Sequence, residues 1–168
     1  MSFRLGFKIE GVQAGTEGFA ALRKALFSRV PKMLDDIGKE VVGTVREKYL
    51  SGPRPEHLGR VSGNLASLTV YRVEGNEVSI GNNLPYGRIW EEGGVIPAHT
   101  ILPKNGRFLV FQMGGQTVFA RMVRKPARTV KARPYLSPGL ADSDMKIREI
   151  AQFWASDAVA EVFPGGTA

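Results

Sequence analysis

The chain has 168 residues, 43% hydrophobic and 23% charged, with a formal net charge of +7. That length fits one domain able to bury roughly 70% of its unfolded surface, and the balance is that of a globular chain, not a disordered or fibrous one. The absence of cysteine excludes disulfides and thiolate metal sites, and without a run of about 18 apolar residues no transmembrane helix is expected.

Taken in order, the N-terminus alternates Phe3, Leu5, Phe7 and Ile9 with Arg4, Gly6, Lys8 and Glu10, a period of two that predicts a half-buried strand. Charges throughout MSFRLGFKIEG leave no signal-peptide core, so a chain that is cytoplasmic when made is expected. Thr16 is placed to cap a helix with Glu17 in its first turn. Phe19, Leu22, Leu26, Val30, Met33, Ile37, Val41, Val45 and Tyr49 then recur at steps of three and four, one apolar stripe on a long helix. Pro31 interrupts that stripe without shifting its phase, which predicts one kinked helix and not two, ended by Ser51-Gly-Pro-Arg-Pro-Glu.

Residues 67–73 and 77–81, joined through Glu74-Gly-Asn76, read as a hairpin. Tyr86 to Glu92 reads as about two helical turns stopped by Gly93-Gly94, with Arg88 and Glu92 away from Tyr86, Ile89 and Trp90. A second hairpin, residues 107–113 and 117–123 about Gly114-Gly115, is apolar on both faces, so one face is expected to meet the core. Arg124 to Lys131 reads as a basic connector. In Ala132-Arg-Pro-Tyr-Leu-Ser-Pro-Gly-Leu140 two prolines punctuate a corner, with Ser137 as a candidate cap and Pro138 in the first helical turn. A last amphipathic helix runs from Asp142 to Phe163, with Asp142 and Asp144 at its start, before a flexible tail, 164–168. The expectation is a single α+β domain over 1–163: a mainly antiparallel sheet, the long and C-terminal helices packed on one face, and a protruding basic hairpin arm over 96–131.

The charge is concentrated. From Gly93 to Ala141 there is no Asp or Glu, and there are eight cations: Lys104, Arg107, Arg121, Arg124, Lys125, Arg128, Lys131 and Arg133. Those eight, against a total of +7, leave the rest of the chain at about −1. A one-signed segment favours an acidic partner, either nucleic acid or a complementary protein face.

Catalytic signals are sparse. His57 and His99 lie in separate loops without other ligands at metal-binding spacing, and no metal or other cofactor is implied. The glycine pairs do not sit between strand and helix as a phosphate loop would, and no serine lies in a nucleophile elbow. Glu91 and Glu92 are adjacent, but neighbours on a helix point about 100° apart and do not form an acid–base pair. An enzyme is not expected.

Three short signals occur in order: Val61-Ser-Gly-Asn-Leu-Ala-Ser67, then Val78-Ser-Ile-Gly-Asn82 leading to Pro85-Tyr-Gly-Arg-Ile-Trp-Glu-Glu-Gly-Gly94, then Ala132-Arg-Pro-Tyr-Leu136. The series resembles the tail-completion and head–tail joining proteins of lambda-like tailed bacteriophages and the related Mu-type virion morphogenesis proteins. Ser62, Gly63 and Leu65 fall on the first family pattern; Ile80, Gly81, Tyr86, Trp90, Glu91 or Glu92, and Gly93 or Gly94 fall on the second; Ala132 to Leu136 fall on the third, with Tyr135 in place of phenylalanine. Ser67 comes one position early, Gly87 stands where the family has a small alanine, and the Ile96–Val130 hairpin is longer than in the shortest members.

The resemblance implies a non-catalytic virion protein forming a homo-oligomeric ring, a hexamer, at the phage neck or tail end, as a tail-completion or tail-terminator component. Its neighbours would be connector or stopper and tail-tube or terminator proteins, with DNA in the lumen and no membrane. A ring needs two complementary faces per subunit. The expected contact residues are Tyr86, Trp90, Glu91, Glu92, Phe108, Val110, Phe119, Arg121 and Arg133, with a basic patch of Lys104, Arg107, Arg124, Lys125, Arg128 and Lys131. The alternative is a sequence-independent nucleic-acid-binding domain, although interleaved aromatics and a recognition-helix motif are both missing.

Overall fold

The computed structural model describes residues 2–6, 17–51, 58, 63–104 and 106–164. The expectations for Phe7, Ile9, the Thr16 cap, the 52–57 stop, His57, Ser62 and the tail beyond Pro164 lie outside the described residues.

Strands β1 (Ser2–Gly6), β2 (Val70–Glu74) and β3 (Glu77–Gly81) form an antiparallel sheet in the order β1-β3-β2. Leu5 and Val73 flank Val78, and Phe3 and Tyr71 flank Ile80, so the period-two pattern lines one apolar face. Val78 and Ile80, in the central strand, are fully buried, while Arg4 and Arg72 on the other face are exposed. The predicted hairpin starts later than expected, because Ser67 and Leu68 belong to a short helix, α2 (Asn64–Leu68). Thr69 ends that helix by turning to an extended conformation.

Helix α1 (Glu17–Thr44) crosses Pro31 without a break and lays Val30, Met33, Leu34, Ile37 and Val41 into the core against β2 and β3. Gly38 makes the close approach possible: an added Cβ would collide with the Tyr71 ring, whose hydroxyl donates to Asp35 Oδ1 at 2.7 Å. At its C-terminus α1 widens into a π-helical turn, Val45–Tyr49, where Leu50 N–H reaches back five residues to the Val45 carbonyl. Val45, fully buried, presses on the bare backbone of Gly139.

The C-terminal helical run is broken. Helix α4 (Leu136–Asp142) ends at Ser143, and α5 (Asp144–Val162) follows. Asp142 therefore closes α4 instead of opening the long helix. It accepts from Tyr49 Oη (2.9 Å) and Lys48 Nζ (3.2 Å), and these two hydroxyl and ammonium contacts hold its carboxyl below the ordinary value. Helix α5 packs along α1, with Ile147, Ile150, Ala151 and Trp154 against the core cluster and Trp154 Nε1 donating to Asp36 Oδ2 at 3.0 Å. Near the other end, Arg29 donates to Asp157 (2.6 Å) and Glu161. No helix among the described residues is long and apolar enough to cross a membrane.

Helix α3 (Pro85–Glu92) leads into three successive antiparallel pairs: β4 (Gly94–Ile96) with β9 (Arg128–Val130), β5 (His99–Ile101) with β8 (Val123–Lys125), and β6 (Leu109–Met113) with β7 (Gln116–Ala120). The first two pairs share one register, which sets Pro97 opposite Ala127 and Ala98 opposite Pro126. Proline has no N–H to donate, so the ladder lapses there and then resumes. The hairpin tip turns on Gly114 (φ +58°) and Gly115 (φ +82°), both in the left-handed region a two-residue primed turn requires. Arg124 to Lys131, expected as a connector, is thus mostly strand. Pro126 interrupts β pairing without ending it, because the opposite strand carries a matching interruption.

Candidate assembly surface

Two neighbouring regions contain all the residues expected to make contacts. The first is a junction between α3 and the 132–137 corner. Pro85 sits in the first turn of α3, where its missing N–H costs nothing, and Gly93 (φ +75°) ends the helix. A Cβ on Gly93 would lie 2.9 Å from Ala132 N and 3.1 Å from the Val130 carbonyl, so the two backbones touch. The Trp90 carbonyl accepts the Arg133 N–H at 2.7 Å.

Beside that contact, Glu91 is only 5% exposed. Its carboxylate accepts the N–H groups of Tyr135 (2.7 Å), Leu136 (3.0 Å) and Ser137 (3.0 Å), and the Ser137 hydroxyl at 2.7 Å. These are unpaired donors at the start of α4, satisfied by a carboxylate from another helix. Burial pushes the Glu91 carboxyl up, but the four hydrogen bonds outweigh it and hold the group below its ordinary value. A carboxylate whose oxygens are occupied this way is an internal cap and not a contact residue. Ser137, expected to cap α4 itself, is instead a donor to Glu91, and Pro138 follows in the first turn.

Tyr135, 1% exposed, fills the centre of the junction. Asn82 Nδ2 donates to its hydroxyl at 2.6 Å, and the hydroxyl faces the Gly87 carbonyl at 3.4 Å. Asn82 Oδ1 accepts the Leu84 N–H at 3.1 Å, and its side chain occupies the space a Cβ on residue 87 would need. Gly87 is therefore matched to Asn82. Of the other expected contact residues here, Trp90 packs partly buried on the core, Tyr86 is exposed, and Glu92 is exposed and paired with Arg88 at 2.8 Å. The Arg133 side chain is exposed and has no ion-pair partner among the described residues.

The second region is the ribbon from Gly94 to Val130. Among its described residues only Val130 is buried, so neither face of the hairpin meets the core, contrary to the expectation for one face. The register of β6 and β7 puts Val110 opposite Phe119, on the face that also carries Phe108 and Arg121 by alternation. Val110 is 61% and Phe119 66% exposed, and the Arg121 guanidinium lies 6.0 Å from the Phe108 ring centre. Leu109, Phe111, Met113, Val118 and Ala120 form the opposite face. Lys104, Arg107, Arg124, Lys125, Arg128 and Lys131 are all exposed. Val95, Ile101, Leu102 and Met122 extend the exposed apolar surface towards the root of the ribbon. They could have been anticipated from the same apolar run, but Asn82 and Ser137 carry no local signal of their roles.

The ribbon can bury apolar area against a partner and present cations around it. No family model, curated protein or solved structure matches the chain.

Proposed function

We propose that the chain is a non-catalytic, ring-forming component of the neck or tail end of a tailed bacteriophage, completing the tail or joining it to the head. The observation that carries this reading is the exposed ribbon, apolar on both faces, on a saturated and tightly packed root. A monomer that leaves such a surface open has a partner to cover it. The order of the three motifs supports the phage assignment, because the second and third meet at the Glu91–Tyr135 junction from which the ribbon springs. Sedimentation equilibrium and native mass measurement on the full chain test it. A closed oligomer with one subunit number, six by the family resemblance, is expected, and a strict monomer at every concentration and in virions overturns it.

A second reading, a sequence-independent contact with nucleic acid, is favoured by the eight cations between Gly93 and Ala141. It requires an affinity for duplex DNA that falls by about 0.9 log units per log unit of salt for each phosphate neutralised. Binding with a flat salt dependence eliminates it.

A further inference from the structure

We infer that the ribbon of one copy seats its Phe108–Val110–Phe119 face in a groove between α1 and α5 of a second copy. This rests on the ring reading above and specifies its interface. The groove, about 470 Å³, is lined by Asp36, Lys39, Glu40, Gly43, Thr44, Glu47 and Ile150.

Three properties of the groove match the ribbon. Its charge is opposite: the lining carries Asp36, Glu40 and Glu47 against one cation, Lys39, which is shared between Asp35 at 2.6 Å and Asp36 at 3.7 Å, so the groove is net acidic. The ribbon face presents Arg121 beside its aromatic rings and has no acid anywhere along its length. The groove floor is open: a Cβ on Gly43 would meet nothing within 4 Å, so an incoming side chain can reach the α1 backbone. An apolar anchor is present in Ile150, which belongs to the α5 stripe packed on the core.

The occupant is a second copy because the acid-free, cationic ribbon and the carboxylate-lined groove are complementary in charge and lie on different surfaces of the same chain. Each copy therefore donates one surface and receives on the other. A head-to-tail contact of this kind repeats until it closes into a ring, or runs on as a filament.

The chain has no cysteine, so pairs of introduced thiols report the contact directly. The full chain carrying Val110→Cys and Thr44→Cys is oxidised at concentrations where sedimentation shows assembly. A ladder of covalent oligomers up to the full subunit number is expected. The control Phe111→Cys with Thr44→Cys, whose ribbon thiol lies on the opposite face, should give at least tenfold less. Charge exchange gives a second measurement: Glu47→Arg or Arg121→Glu alone should weaken self-association by about tenfold, as like charges are brought together, and the two combined should restore it. An assembled protein with no ladder above the control, and no rescue by the exchange, overturns the groove contact and leaves the ring reading standing. A protein that never assembles overturns both. Loss of the ladder specifically on adding duplex DNA, with the assembly dissolved, assigns the ribbon face to nucleic acid and also overturns the inference.

Discussion

The Glu91–Tyr135 junction and the Gly94–Val130 ribbon are adjacent in sequence, yet they treat their polar and apolar groups in opposite ways. At the junction the buried polar groups are partnered: one carboxylate satisfies three backbone N–H groups and a hydroxyl, and a tyrosine hydroxyl has an amide. Along the ribbon large apolar side chains stand in solvent, Met113 at 67% and Phe119 at 66% exposure. The first region adds to the stability of the single chain, with Tyr135 and Leu136 reaching the core, and the capacity to be covered by something else resides in the second. Substitutions in the two should therefore affect different measurements.

The largest effect is expected from Glu91→Ala. It strands buried donors at the start of α4, each worth about 1–3 kcal/mol when left unmade, so a loss of about 3 kcal/mol in denaturant unfolding is expected. The pair Val110→Ser with Phe119→Ser should change unfolding by less than about 0.5 kcal/mol, because both side chains are already in water, and should abolish self-association. If the ribbon pair destabilised the monomer as much as the junction change, the division between the regions would be broken. The pH dependence follows the same carboxylate. Its folded pKa lies below its unfolded value, so its stabilisation is complete above the ordinary range for glutamate, about pH 4.3, and is lost as pH falls through the lower folded value. The acid limb of the wild-type stability curve should flatten in Glu91→Gln.

A smaller effect is expected from Gly87→Ala. The added methyl enters space held by the Asn82 side chain, which also hydrogen-bonds Tyr135 and Leu84. Overpacking of this kind costs about 2 kcal/mol. The same change combined with Asn82→Gly should recover part of it, since the methyl then fills the vacated space; a strictly additive double variant would show that the two positions do not share it.

Much of this fold is legible in local pattern. Period two in β1 and the step of three and four in α1 and α5 follow from which face each element buries, and Gly114-Gly115 announces its turn because few other residues adopt two successive positive φ values. What escapes is long-range. Glu91 caps a helix 45 positions away, and the sequence hides this because Ser137 stands where a local cap is expected, yet its N–H and hydroxyl both donate to Glu91. The strands flanking Pro126 escape because proline and dense charge both argue against pairing. Only the facing Pro97-Ala98 reveals that the interruption is symmetrical. On the site, the apolar ribbon face could be read from alternation, whereas the acidic groove joins residues of α1 and α5 that only packing brings together.

The smallest effect on the monomer, and the finest test of the comparison, is Arg133→Ala. Arg133 belongs to both regions: its N–H is fixed to the Trp90 carbonyl at 2.7 Å, while its side chain is exposed at the root of the ribbon, without an ion-pair partner among the described residues. The backbone bond survives removal of the side chain, so unfolding should move by less than about 0.5 kcal/mol. Self-association should weaken, and its dependence on salt should become shallower, because a cation free in the monomer is available to an acidic neighbour. A loss of several kcal/mol in the monomer would instead place the guanidinium in a buried intrachain pair. Lys substitution separates charge from shape: if it restores assembly, the neighbour sees a point charge, and if it does not, the neighbour presents a carboxylate that needs the two-pronged guanidinium.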